Sequence, residues 1–334
     1  MSDKCRLVSA KLGVIAIIAV STLLFAEIGL RILGFSYVPL RLKMMGKEKE
    51  ICGLKGDYRQ EHPVQSYFVF DPHLIWRPKN NFKIFNSQGF RGPEINIKKR
   101  PGDLYIFAFG DSNTLGPDSA PGWVDYLSGL IKNVRPEAKL VNAGVWGYTS
   151  FQCYRRFKEV LKYSPDIILL SCCSNDALRV IIPDREYVST KKYFSSKAAS
   201  LRLSQFFFMA QDRLLLSRKT DNKCLLTPRV GPDEFADYLN KIISLSRKNN
   251  IRVVLLTRPF IDFWAPDNES LWMNFTPEYN DLVIKASKDK NLQVVDLYSL
   301  FKGKKELFAN DSHFNDEGHK VAAEIIYKQI KDLL

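Results

Sequence analysis

Metal-ligand spacing is missing from this chain. Its six cysteines are Cys5, Cys52, Cys153, Cys172, Cys173 and Cys224, and no two of them form a CxxC pair. That argues against structural zinc. Cys172 and Cys173 are adjacent in an apolar run and read as small core residues. Histidine is scarce as well, with only His62, His73, His313 and His319 available as bases. There is no internal repeat at solenoid periods and no long low-complexity run, which excludes stacked-repeat folds and compositional linkers. At 334 residues, 46% hydrophobic and 25% charged, the chain is neither disordered nor a small disulfide-stapled scaffold.

Acidic residues are outnumbered, 36 against 49 Lys and Arg, for a formal net charge of +13. The excess is local. Residues 1–50 hold 8 basic and 4 acidic side chains, and residues 179–223 hold 10 and 4, so these stretches account for +4 and +6. The rest is nearly balanced. Nucleic-acid binding, which +13 would invite, therefore gives way to anionic lipid or a solvated face beside one segment and one insertion.

The segment Leu12 to Ala26, LGVIAIIAVSTLLFA, has no charge, and the apolar pattern continues through Ile28, Leu30, Ile32 and Leu33. A helix from Leu12 to Leu33 rises about 33 Å, enough to cross a hydrocarbon core. Glu27 and Arg31 interrupt it at i,i+4 spacing, where they can pair on one face. The reading is a single N-terminal transmembrane anchor within residues 1–35, with the bulk of the chain outside the cytoplasm. A cleaved signal peptide is the rival, since Lys4, Arg6 and Lys11 precede the run, but Leu24-Phe25-Ala26 is a poor small-x-small site.

Residues 36–100 read as a linker and a small β-rich lead-in, with turn-rich stretches at Trp76-Arg77-Pro78 and Asn86 to Gly92. From residue 101 to 334 the pattern is regular. Apolar runs at Leu104–Phe109, Leu140–Asn142, Ile167–Leu170, Val253–Leu256 and Val294–Asp296 alternate with helical stretches near 121–134, 149–163, 233–249, 278–290 and 317–333. Such alternation predicts a parallel sheet of about five strands with helices on both faces, a three-layer α/β sandwich. A basic, aromatic-rich insertion at 179–232 breaks the rhythm. Its Leu201–Ser217 stretch, with Phe206-Phe207-Phe208-Met209, reads as amphipathic helix.

Ligands of open α/β sheets bind beyond the carboxyl ends of the strands. Those ends carry Gly110-Asp111-Ser112-Asn113, then Asn142 to Thr149, then Ser174-Asn175-Asp176, and finally, by a loop, Asp311-Ser312-His313. A hydroxyl, backbone-exposing glycines, an amide and a histidine beside an acid converge on one edge, which is the equipment of acyl transfer. His313 is the best base. His319 lies in the first turns of a helix capped by Asn315 and reads as a packing residue.

Together these segments resemble the SGNH (GDSL-like) hydrolase superfamily over roughly residues 104–334. GDSN is similar to its first block, NAGVWGYTS to its second, SNDA to its third and DSHFNDEGH to its last. The resemblance implies a flavodoxin-like fold, Ser112 as nucleophile, His313 as base, and Gly147 and Asn175 in the oxyanion hole with the Ser112 N–H. It implies no metal and no organic cofactor. The usual last block is Asp-x-x-His, whereas position −3 here is Asn310 and the acid, Asp311, stands at −2. Asp311 is therefore the expected third member of the triad, and Asn310 can orient the ring without supplying charge. The functions implied are a membrane-anchored esterase or deacylase on ester-bearing small molecules, lipids or glycans, and O-acyl transfer to an envelope polysaccharide by the same residues. A non-catalytic binding member is the remaining alternative.

Overall fold

The computed structural model describes residues 3–33, 41, 66–171, 175–195, 212–214, 216–217, 226–261, 277–310 and 312–334. Helix α1 (Asp3–Ile32) comes first. Its stretch Ala10–Leu30 is 21 residues long with a mean hydropathy of 2.2, and none of it is buried in the protein. The Arg31 side chain, expected to pair with Glu27, lies outside the described residues, as do Cys172 and Cys173.

An antiparallel hairpin follows, β1 (Phe68–Asp71) and β2 (Ile75–Pro78). Its Phe68 and Trp76, with Phe85 and Phe90 after it, are buried in the main core, so the lead-in packs onto the α/β domain rather than standing apart. Next come β3 (Leu104–Gly110), α2 (Ser112–Leu115), α3 (Trp123–Lys132), β4 (Ala138–Asn142), α4 (Ser150–Val160) and β5 (Ile167–Ser171). The expected insertion begins with β6 (Arg179–Val180) and α5 (Asp184–Ser195) and ends with β7 (Thr227–Pro228). β6 and β7 pair antiparallel and close its base. Most of Leu201–Ser217 lies outside the described residues. The chain finishes with α6 (Pro232–Lys248), β8 (Arg252–Leu256), α7 (Pro277–Lys290), β9 (Gln293–Val295), α8 (Leu297–Phe301) and α9 (Asp316–Ile330).

The main sheet has the order β4-β3-β5-β8-β9, and every pairing in it is parallel. This is the flavodoxin-like arrangement. Strand β3 is buried along its whole length, as a central parallel strand covered on both faces must be. Its alternate residues divide between the two faces. Tyr105, Phe107 and Phe109 join a core with residues of α4, α6 and α7, while Leu104, Ile106 and Ala108 join one with α3, α8 and α9. The helices start and stop where local chemistry allows. The Asp125 carboxylate accepts from the Gly122 N–H ahead of α3, Pro232 opens α6, and the Asn315 side chain accepts from the Gly318 N–H to cap α9. The chain leaves β3 toward one edge of the sheet and β5 toward the other. The loops after these two strands therefore part and open a crevice at their carboxyl ends.

Candidate active site

Ser112 begins α2 directly after β3. The turn is tight because Gly110 allows it: a Cβ there would meet Thr114 Oγ1 at 2.1 Å and the Ser171 carbonyl at 2.5 Å. Asp111 caps the helix, accepting the Asn113 N–H at 2.9 Å. Asn142, at the end of β4, donates to the Thr114 carbonyl at 2.8 Å and accepts the Gly144 N–H at 2.9 Å, joining the first two loops.

His313 enters from the loop before α9, and its Nε2 lies 2.7 Å from Ser112 Oγ. The far side of the ring faces an amide. Asn310 Oδ1 is 2.9 Å from His313 Nδ1, and it also accepts the backbone N–H groups of Ser312 at 3.2 Å and His313 at 3.0 Å. Backbone N–H groups only donate, so the Asn310 atom at this point is its oxygen, and Nδ1 must carry the proton. Nε2 is then left as the acceptor facing the serine. Asp311, the expected acid, lies outside the described residues.

Two bridges hold the serine and histidine loops together. Asn113 Oδ1 accepts the Phe314 N–H at 3.2 Å. The buried Arg258 donates from Nε to Asp111 at 3.2 Å and from Nη1 to the Ser312 carbonyl at 2.7 Å. Beneath them His319 is buried, and its Nδ1 accepts the Trp123 N–H at 3.1 Å. Burial, followed by the charges of Arg258 and His313, pushes its pKa down to about 4. It packs as a neutral ring, as expected of a packing residue at the start of α9.

Gly147 lies in the loop after β4 and Asn175 in the loop after β5. Gly147 has φ +73°, a left-handed conformation that favours glycine. Its carbonyl accepts from Arg229 Nη1 at 2.7 Å. Asn175 is buried, and its Nδ2 donates to the Tyr148 carbonyl at 3.1 Å. That bond uses one of the two amide hydrogens.

A buried ionic network is bonded to the Gly147 loop. Arg229, with no exposed surface, also donates to Asp184 at 2.8 and 3.2 Å and to Gln152 at 3.2 Å. Arg41 approaches the same Asp184 at 3.5 Å. Asp176 receives the Ser150 N–H at 3.0 and 3.1 Å and lies against the Ser150 hydroxyl. Burial pushes the Asp176 pKa up to about 7, against the opposing pull of the Ser150 bonds and the Arg229 charge.

Ser112, Gly147, Asn175 and His313 are thus placed at the carboxyl edge of one sheet, with Ser112 and His313 in hydrogen-bond contact. The sequence reading missed Arg229, Arg258 and Trp76. Arg258 was within reach, since it follows β8 by two residues and the strand-end rule covers it. Arg229 and Trp76 give no such signal: one closes an insertion, and the other precedes the sheet. Among the described residues, no group of three His, Cys, Asp or Glu side chains is placed to hold a metal ion.

Residues 108–321 match the family model of GDSL-like lipases and acylhydrolases. Solved structures with a similar course include a catalytic mutant of an acetylxylan esterase from Geobacillus stearothermophilus. It has 19% identity over 68% of this chain and 94% of that one, with a TM-score of 0.46. Another, described as a GDSL-like lipase, comes from Parabacteroides merdae, with 18% identity over 72% and 99% of the two chains and a TM-score of 0.48. No curated protein matches the sequence.

Proposed function

Because the chain belongs to the GDSL-like lipase/acylhydrolase family, and is thereby an ester-hydrolysing enzyme, we propose that Ser112 is its nucleophile and His313 its general base. The observation that carries this reading is the 2.7 Å contact between Ser112 Oγ and His313 Nε2. His313 Nε2 takes the hydroxyl proton as Oγ bonds to the ester carbonyl carbon. The carbonyl oxygen becomes an oxyanion and is received by the N–H groups of Ser112 and Gly147 and the second amide hydrogen of Asn175. One such donor is worth about 3 kcal/mol. Collapse of the intermediate breaks the bond to the alcohol, which leaves with the proton from Nε2. Water then gives a proton to Nε2 as its oxygen bonds to the acyl carbon, and collapse breaks the bond to Oγ, which takes the proton back from Nε2 as the acid leaves.

Asn310 holds the Nδ1–H of His313 in this scheme and fixes the reactive tautomer. The exposed apolar stretch Ala10–Leu30 supports a second element of the proposal, that α1 anchors the enzyme in a membrane beside its ester-bearing substrates.

The experiment is labelling with a fluorophosphonate, which reports an activated serine without knowledge of the substrate. Wild type is expected to take the label and to hydrolyse short-chain aryl esters. Ser112→Ala is expected to do neither while keeping its melting temperature. An unlabelled wild type, or a Ser112→Ala variant of equal activity, overturns the assignment.

A further inference from the structure

The lead-in hairpin precedes the family-matched stretch, yet it is bonded to the loop that carries the candidate oxyanion donor. Trp76 in β2 is fully buried. Its indole N–H donates to the Trp146 carbonyl at 3.2 Å, and the Tyr148 hydroxyl donates back to the Trp76 carbonyl at 2.8 Å. The Trp76 and Tyr148 rings meet edge to face at 5.9 Å. Arg229 lies over the indole, with Cζ 5.6 Å from the ring centroid.

The carbonyls of Trp146, Gly147 and Tyr148 are therefore each held by a side chain, from Trp76, Arg229 and Asn175 in turn. In a trans peptide the C=O and the following N–H point in opposite directions, and no peptide bond here is cis. What holds the Trp146 carbonyl thus aims the Gly147 N–H. Among the described residues no protein group accepts that N–H. Gly147 has no Cβ to resist rotation, so the peptide plane depends on being held from outside.

We propose that Trp76 is a positioning residue for the oxyanion hole: its indole N–H orients the 146–147 peptide so that the Gly147 N–H meets the ester oxygen. The proposal rests on the roles given above to Ser112 and Gly147. It makes the hairpin part of the catalytic unit rather than a spacer between α1 and the enzyme.

The test uses the full chain with Trp76 replaced by benzothienylalanine, which keeps the shape of the ring system and puts sulfur in place of the N–H, and in parallel Trp76→Phe. kcat and KM on an aryl acetate, the melting temperature and fluorophosphonate labelling are measured against wild type and Ser112→Ala. The isostere is expected to lose roughly tenfold in kcat, because a donor is misaimed rather than removed, with KM and melting temperature nearly unchanged. Trp76→Phe is expected to lose at least as much. An isostere with the wild-type kcat overturns the proposal, as does one whose loss of kcat matches its loss of folded protein. A wild type that fails to take the label overturns the nucleophile assignment first, and the proposal falls with it, so the two failures are distinguishable.

Discussion

The serine–histidine half of the site and the oxyanion half are each pinned by a buried arginine, but their surroundings differ. Among the described residues Arg258 makes one contact to a carboxylate, Asp111 at 3.2 Å, and otherwise serves backbone carbonyls. Its neighbours are neutral partners: Asn113 on Phe314, Asn310 on His313, and an uncharged His319. Arg229 grips both oxygens of Asp184, which Arg41 also approaches, and the buried Asp176 lies nearby. The half that hands a proton back and forth in the proposed mechanism is built around neutral hydrogen bonds. The half that must hold still is locked by buried charge, which rigidifies when fully paired and is costly when broken.

The largest expected effect tests that contrast directly. Arg229→Met leaves the buried Asp184 with only the more distant Arg41 at 3.5 Å and the Thr149 hydroxyl at 2.9 Å, and breaking a buried pair of this kind costs about 3–5 kcal/mol. In a domain of this size that corresponds to a melting-temperature loss of roughly 6–20 °C. Arg258→Met is expected to lose less, because its single 3.2 Å carboxylate contact is weaker than the two-oxygen grip of Arg229. Thermal melts of both variants decide it, and an equal or reversed ranking removes the distinction between the halves.

A smaller effect separates the halves by pH. The folded pKa of Asp176 is pushed up to about 7 by burial, above the carboxylate value of an unfolded chain. The folded state therefore binds the proton more tightly. The stability this provides is complete below about pH 4 and is lost as pH rises toward 7. The loss is at most about 4 kcal/mol. Asp176→Asn keeps the shape without the charge, so its melting temperature is expected to exceed that of wild type at pH 8 and to converge with it near pH 4. Parallel curves from pH 4 to 8 would place the charge elsewhere. His319 works in the opposite sense. With its pKa lowered to about 4, it adds stability above about pH 6.5 that is lost on acidification.

The two halves also differ in how much of them the sequence discloses. Strands β3, β4, β5, β8 and β9 lie within two residues of the expected runs, because a doubly covered parallel strand writes itself as an unbroken apolar segment. Ser112 and His313 are legible for a related reason, each sitting in a short polar motif at a strand end. The buried network is not. Arg229, Asp184, Gln152 and Trp76 are scattered over more than 150 positions of the chain, and each is an ordinary polar or aromatic residue until folding brings them together. Asn310 is hard to read for a different reason. In the sequence it is an amide beside an acid, and which of the two faces the ring depends on how the loop turns.

That last choice gives the smallest and sharpest of the expected effects. Asn310 Oδ1 sits 2.9 Å from His313 Nδ1 and is anchored by two backbone N–H groups, so it sets the tautomer without adding charge. A neutral partner orients the imidazole but stabilises the imidazolium less than a carboxylate would. Asn310→Ala frees the ring and is expected to lower kcat about tenfold, well short of the several orders lost when a true triad carboxylate is neutralised. Asn310→Asp places a charge at Nδ1 and is expected to raise kcat, with the pH at which activity appears shifted upward because His313 then holds its proton more tightly. Asp311→Asn is expected to be nearly silent. The three variants are compared on one aryl ester across pH 5–9. If Asp311→Asn loses several orders of magnitude while Asn310→Ala is silent, the acid role belongs to Asp311, and the neutral character assigned to this half of the site is wrong.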